Sequence, residues 1–126
     1  MGDTTFSNGS LVHHKMVHDL FKSVRPWLEV VLDNYRVLYY SGQLDIIVPY
    51  LSSERMFNAL QFRGVNQYQD AMRVPWYVDG ELAGYVKSAG NFTEVLVRNA
   101  GHMVPADQPR WALDLISRFI QGKLLK

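Results

Sequence analysis

An apolar run, Val95-Leu96-Val97, stops at Arg98-Asn99-Ala100-Gly101 and delivers His102 onto a tight turn; Pro105, Asp107 and Pro109 then open a helix. No other feature constrains the fold as much, because strand, sharp turn and helix must follow one another with almost no slack. Gly101 beside the histidine permits a backbone geometry that a side chain would oppose. A histidine held by backbone on both sides is placed as a general base must be, within hydrogen-bond reach of one proton. The bland reading of the same residue is a histidine hydrogen-bonded in a turn.

A second position of the same kind lies upstream. Val37-Leu38-Tyr39-Tyr40 leads into Ser41-Gly42-Gln43-Leu44-Asp45, and Val48-Pro49 follow. Asp45 suits a cap for the helix that Pro49 introduces. It equally suits the role of a carboxylate that orients the histidine ring, an effect of about 10⁴ in rate where it has been measured. The interval between Asp45 and His102 fits one helix and a short meander joining two adjacent strand ends. Together the pair reads as two thirds of a catalytic triad.

Periodicity supplies the scaffold. Helical spacing runs from Leu11 to Leu32, with Pro26 kinking the segment or starting a second helix. Arg36 to Tyr40 reads as a buried strand, and Leu51, Met56, Phe57 and Leu60 give the helix after Pro49 its apolar face. Residues 62–74 read as polar and irregular. Trp76-Tyr77-Val78, the Asp79-Gly80 turn and Leu82 to Val86 form a hairpin, with both aromatics assigned to core or sheet packing. A turn at Ala89-Gly90-Asn91 precedes the strand from Phe92 to Arg98. The last helix starts near Gln108, is capped by Asp107, packs Ala112, Leu115, Ile116 and Phe119 on a sheet, and stops at Gly122. Helices alternating with strands give an α/β layer fold.

At 126 residues the chain is one domain or part of one, and it is long enough to bury roughly two thirds of its surface. A net charge of +1 leaves no electrostatic footprint for nucleic acid. No apolar run is long enough to span a membrane, and the polar start Met1-Gly2-Asp3-Thr4-Thr5-Phe6 is no signal-peptide core. With Cys 0, disulfides and thiolate metal sites within the chain are excluded. His13, His14 and His18 include a pair at i, i+4, read as solvated helix histidines; no metal and no cofactor is called for. Asn8-Gly9-Ser10 and Asn91-Phe92-Thr93 match the N-glycosylation pattern, making Asn8 and Asn91 candidate sites on secretion.

The third member of the triad has no counterpart. None of Ser7, Ser10, Ser23, Ser41, Ser52, Ser53, Ser88 and Ser117 lies in Gly-x-Ser-x-Gly. In α/β-hydrolases the chain order is Ser, then Asp or Glu, then His, so a nucleophile is expected upstream of residue 1.

With the motifs set out, residues 11–122 resemble the C-terminal third of a serine carboxypeptidase, most of all the vitellogenic-like carboxypeptidases of animals. The matching stretches are Ser23-Val24-Arg25-Pro26-Trp27-Leu28, Tyr40-Ser41-Gly42-Gln43-Leu44-Asp45, Ala83-Gly84-Tyr85, and Ala100-Gly101-His102-Met103-Val104-Pro105 with Asp107-Gln108-Pro109, in family order. The resemblance implies part of an α/β-hydrolase domain, a partial and mainly parallel sheet with a hairpin, and residues 1–20 as the end of a lid. It implies Asp45 and His102 as catalytic acid and base, with Met103 lining the substrate pocket. It further implies removal of C-terminal residues from peptide or protein substrates through an acyl-enzyme, in the secretory or lysosomal route. The family's serine motif, oxyanion-hole glycines and carboxylate-gripping acids have no match here, so the isolated chain is expected to be inactive. Two other readings stay open: a catalytically dead interaction module, and an acyltransferase relative. Oligomeric state and side-chain preference are not legible.

Overall fold

The computed structural model describes residues 10–20 and 22–125. Two helices come first, α1 (Ser10–Leu20) and α2 (Arg25–Asn34), so the proline starts a second helix instead of kinking one. Pro26 sits in the first turn of α2, where a missing N–H costs nothing. The order continues β1 (Val37–Gly42), α3 (Tyr50–Ala59), α4 (Val65–Asp70), β2 (Val74–Val78), β3 (Glu81–Ala89), β4 (Phe92–Val97), α5 (Val104–Asp107) and α6 (Pro109–Ile120).

The strands form one sheet in the order β1-β4-β3-β2. β1 and β4 run parallel, from Val37 opposite Phe92 to Gly42 opposite Val97; the other two pairings are antiparallel. The class is α/β as expected, and this part of the sheet is mixed, with one parallel pair and the expected hairpin. At the hairpin tip Asp79 and Gly80 both take positive φ, the backbone of a two-residue turn whose twist matches its strands. Two side-by-side parallel strands must finish at the same edge of the sheet, and this fixes where the two candidate residues emerge.

Alternation along each strand gives each face of the sheet its own core. On one face Trp111, Ala112 and Leu115 of α6 pack on Trp76, Val78, Ala83, Val86, Val95 and Val97. Ala112 and Leu115 bury as the periodicity predicts, Trp111 joins them, and Ile116 stays partly exposed. The indole N–H of Trp76 donates to Asp114 at 3.0 Å, tying sheet to helix, whereas Tyr77 on the other side of the strand is exposed. Gly122, at φ +68°, ends the segment as expected.

On the opposite face Leu32, Phe57, Leu60, Phe62, Tyr68 and Phe92 make the second core. Phe92 is its centre, 5.1 Å from the Phe57 ring and 4.9 Å from that of Tyr68. The stretch expected to be irregular contains α4, whose one buried residue is Tyr68. A single buried aromatic on a polar turn leaves no period to read. The loop before it is tied to α2 instead: Gln61 N–H donates to Glu29 at 2.8 Å and Arg63 N–H to Asp33 at 2.7 Å.

Truncating Leu115, fully buried between α6 and the sheet, to alanine is expected to cost about 2–5 kcal/mol, and truncating the exposed Leu113 less than about 0.5 kcal/mol. Urea unfolding of the two variants measures the difference.

Candidate active site

Backbone geometry brings the two strand-end turns together before any side chain is considered. The parallel ladder runs past the strands: Gln43 N–H donates to Val97 O at 2.8 Å and Leu44 N–H to Ala100 O at 2.9 Å. At the crossing point stands Gly42, where an added Cβ would lie 2.2 Å from Gly101 O and 2.3 Å from Ala100 O. Both obstacles are backbone, so neither can swing aside. Glycine is required here for close approach, and the sequence showed only that a turn began.

Asp45 follows three residues later. Its Oδ1 accepts the Ile47 N–H at 2.8 Å and the Val48 N–H at 3.0 Å, folding the chain around the carboxylate ahead of α3. Its other oxygen, Oδ2, lies 2.9 Å from Nδ1 of His102. Local cap and histidine partner were alternatives in the sequence; the carboxylate serves both, one oxygen to each.

The histidine turn is braced from the C-terminal side. Asn99 takes φ 51°, a conformation asparagine tolerates better than most residues, and its carbonyl accepts Gln108 Nε2 at 3.0 Å. Gly101 N–H donates to Asp107 Oδ2 at 2.7 Å. Asp107 is thus no cap for the last helix: it ends the short α5, and α6 begins after Gln108 without a side-chain cap. Its carboxylate reaches back to the residue before His102. The Asp-Gln-Pro pattern looked like a helix start because a brace across a turn and a cap use the same residue type.

Exposure separates the two partners. The Asp45 side chain is 5 % exposed and that of His102 46 %. The aspartate is sheltered and held by three donors, while nearly half of the histidine side chain is open. The Asp45 carboxyl is held below the ordinary aspartate range, first by the Val48 amide, then by His102 and Ile47, with desolvation opposing. An ionised Asp45 accepts the Nδ1 proton, which leaves Nε2 as the ring's free acceptor. Around the pair, Ile46, Ile47, Leu44 and Met103 expose apolar side chains.

The remaining expected sites lie elsewhere. Asn91 is in the turn before β4, at the end of that strand opposite His102, and its amide donates to Leu32 O at 3.0 Å. Asn8 lies outside the described residues. His13, His14 and His18 are exposed on α1, and among the described residues no group of three or more His, Cys, Asp or Glu could hold a metal ion. Among the described residues no helix is long and apolar enough to cross a membrane.

Residues 4–122 match the serine carboxypeptidase family. The chain belongs to that family. A probable serine carboxypeptidase of Homo sapiens, CPVL, is 42% identical over 98% of this chain and 26% of its own length. The venom serine carboxypeptidase of Apis mellifera is 48% identical over 98% of this chain and 27% of its own. The vitellogenic carboxypeptidase of Aedes aegypti is 48% identical over 90% of this chain and 24% of its own. The chain therefore spans about a quarter of the length of these carboxypeptidases. Among solved structures, the prohormone-processing carboxypeptidase Kex1(delta)p of Saccharomyces cerevisiae superposes with a TM-score of 0.65 at 27% identity, covering 75% of this chain and 21% of that one. The α/β-hydrolase class expected from the motifs is the fold of this family.

A carbon-detected NMR titration of Asp45 is expected to give a midpoint below the ordinary aspartate value of about 3.9. His102→Ala should raise it only part of the way, because the Val48 and Ile47 amides remain. A depressed pKa stabilises the fold above the unfolded aspartate value, and that contribution is lost as pH falls through the folded midpoint. A midpoint at or above the ordinary value would show that the carboxylate is not held as described.

Proposed function

We propose that this chain supplies the acid and base of a serine carboxypeptidase that releases C-terminal residues from peptides and proteins. The observation that carries the reading is the 2.9 Å hydrogen bond between a sheltered Asp45 and the inner nitrogen of an accessible His102. In this reading Nε2 takes the proton of a serine hydroxyl as that oxygen attacks the scissile carbonyl. The imidazolium that forms is stabilised by Asp45, and it returns the proton to the leaving amine. Water then repeats the sequence on the acyl-enzyme.

The serine comes from a segment of the polypeptide preceding residue 1. Two features support that placement. The outer edge of β1 has no partner strand among the described residues, and a bare sheet edge beside exposed apolar helix faces is a surface that another strand covers. Trp27 and Val31 of α2 and Ile120 of α6 are such exposed apolar groups. The apolar side chains Ile46, Ile47 and Met103 lie beside the dyad, where a peptide side chain would be held. An intact dyad favours an enzyme over an inactive interaction module, since a module has no use for an aspartate held by three donors. The venom relative and the two sequons support a secretory destination.

The test uses the polypeptide carrying both this chain and the preceding segment, assayed on blocked dipeptides. His102→Ala and Asp45→Asn are each expected to lower kcat by about 10⁴-fold with KM little changed. Retention of activity within tenfold in His102→Ala would overturn the assignment.

A further inference from the structure

Glu94 is an anomaly of the sheet. It lies in β4 opposite Tyr39 and is 2% exposed, in a position the strand pattern reserves for an apolar side chain. A buried carboxylate is costly unless its lone pairs are filled. Here they are filled from α3, from α4 and from the loop before β2. Tyr50 donates its hydroxyl to Oε1 and Tyr68 to Oε2, and the Arg73 guanidinium lies 3.0 Å from Oε1. Arg73 also covers the Tyr50 ring at 4.9 Å and pairs with Glu54 at 3.6 Å, while Lys87 stands 4.5 Å over the Tyr68 ring. Burial and the neighbouring carboxylates push the Tyr68 phenol far up, so it remains a donor throughout the working range.

What this network grips matters for the dyad. Tyr50 is the first residue of α3 and follows directly on the segment 45–49. Within that segment the Ile47 and Val48 amides point back to Asp45. The near end of the loop is fastened through Gln43 to Val97, the last residue of β4, and through Leu44 to Ala100 just beyond that strand. Its far end is fastened to the same strand through Tyr50 and Glu94. We infer that Glu94 and Tyr50 are positioning residues for the catalytic aspartate, clamping the second end of the Asp45 loop to the strand that delivers His102. The inference rests on the triad reading for its catalytic meaning, though the clamp itself is a matter of geometry. Tyr68 shares the carboxylate but belongs to α4, which leads away from the loop, so it provides an internal control.

Hydrogen exchange and kinetics on the full polypeptide test this together. Tyr50→Phe removes the hydroxyl that reaches Glu94 and accepts from Arg73, and is expected to speed exchange of the Ile47 and Val48 amides about tenfold, with Val95 and Val97 unchanged. It should lower kcat about tenfold at constant KM, because the aspartate is displaced and not removed. Tyr68→Phe should speed exchange within α4 and leave Ile47, Val48 and kcat within about twofold. Glu94→Gln keeps an acceptor for Tyr50 and should restore most of what Glu94→Leu loses in kcat. Equal effects of the two tyrosine variants on the Ile47 and Val48 amides, or none from Tyr50→Phe, would overturn the clamp. If those amides respond as expected while His102→Ala keeps its activity, the clamp stands and the triad reading fails.

Discussion

The parallel pairing of β1 with β4, carried two residues beyond the strands, is the constraint on which the site depends. It brings the Asp45 and His102 turns to one edge of the sheet and presses their backbones together. The contact is so close that Gly42 has no room for a Cβ against the carbonyls of Ala100 and Gly101. Everything else at the site trims a geometry already set by the ladder. Asn99, Gln108 and Asp107 hold the histidine turn, and the Ile47 and Val48 amides hold the carboxylate. A hydrogen bond between side chains thus inherits its precision from backbone pairing, which is why a dyad can be built on turns without being loose.

The helix faces carry apolar groups that stand exposed among the described residues. Each face of the sheet has its own packed core, yet the helices on either side expose apolar groups, Trp27 on α2 and Ile120 on α6, and among the described residues the outer edge of β1 has no partner strand. The family relatives, which are about four times longer, place this chain within a quarter of their length. In a doubly wound sheet the two cores grow by adding strands at such an edge, with helices above and below.

Elements with a strong period were legible in the sequence. Pro26, the Asp79-Gly80 turn and Gly122 marked their boundaries through backbone chemistry that acts locally. The Asp45–His102 pair was legible for the same reason, each residue lying within three positions of a glycine that follows an apolar strand. α4 escaped because six residues with a single buried tyrosine among four polar ones carry no period. Asp107 was misassigned because its partner, the Gly101 amide, lies across a turn and not at a helix end. The Glu94 network was invisible: a glutamate in a strand reads as a solvent-facing residue until tertiary packing supplies two phenols and a guanidinium from distant segments.

Asp45 is expected to fix which nitrogen of His102 carries the proton. Nitrogen-15 NMR of the neutral imidazole reads this directly. The geometry predicts the proton on Nδ1, with Nε2 bare, and redistribution toward the Nε2-protonated form in Asp45→Asn. A ring already protonated on Nε2 in the unaltered chain would contradict the pairing and remove the basis for a catalytic role.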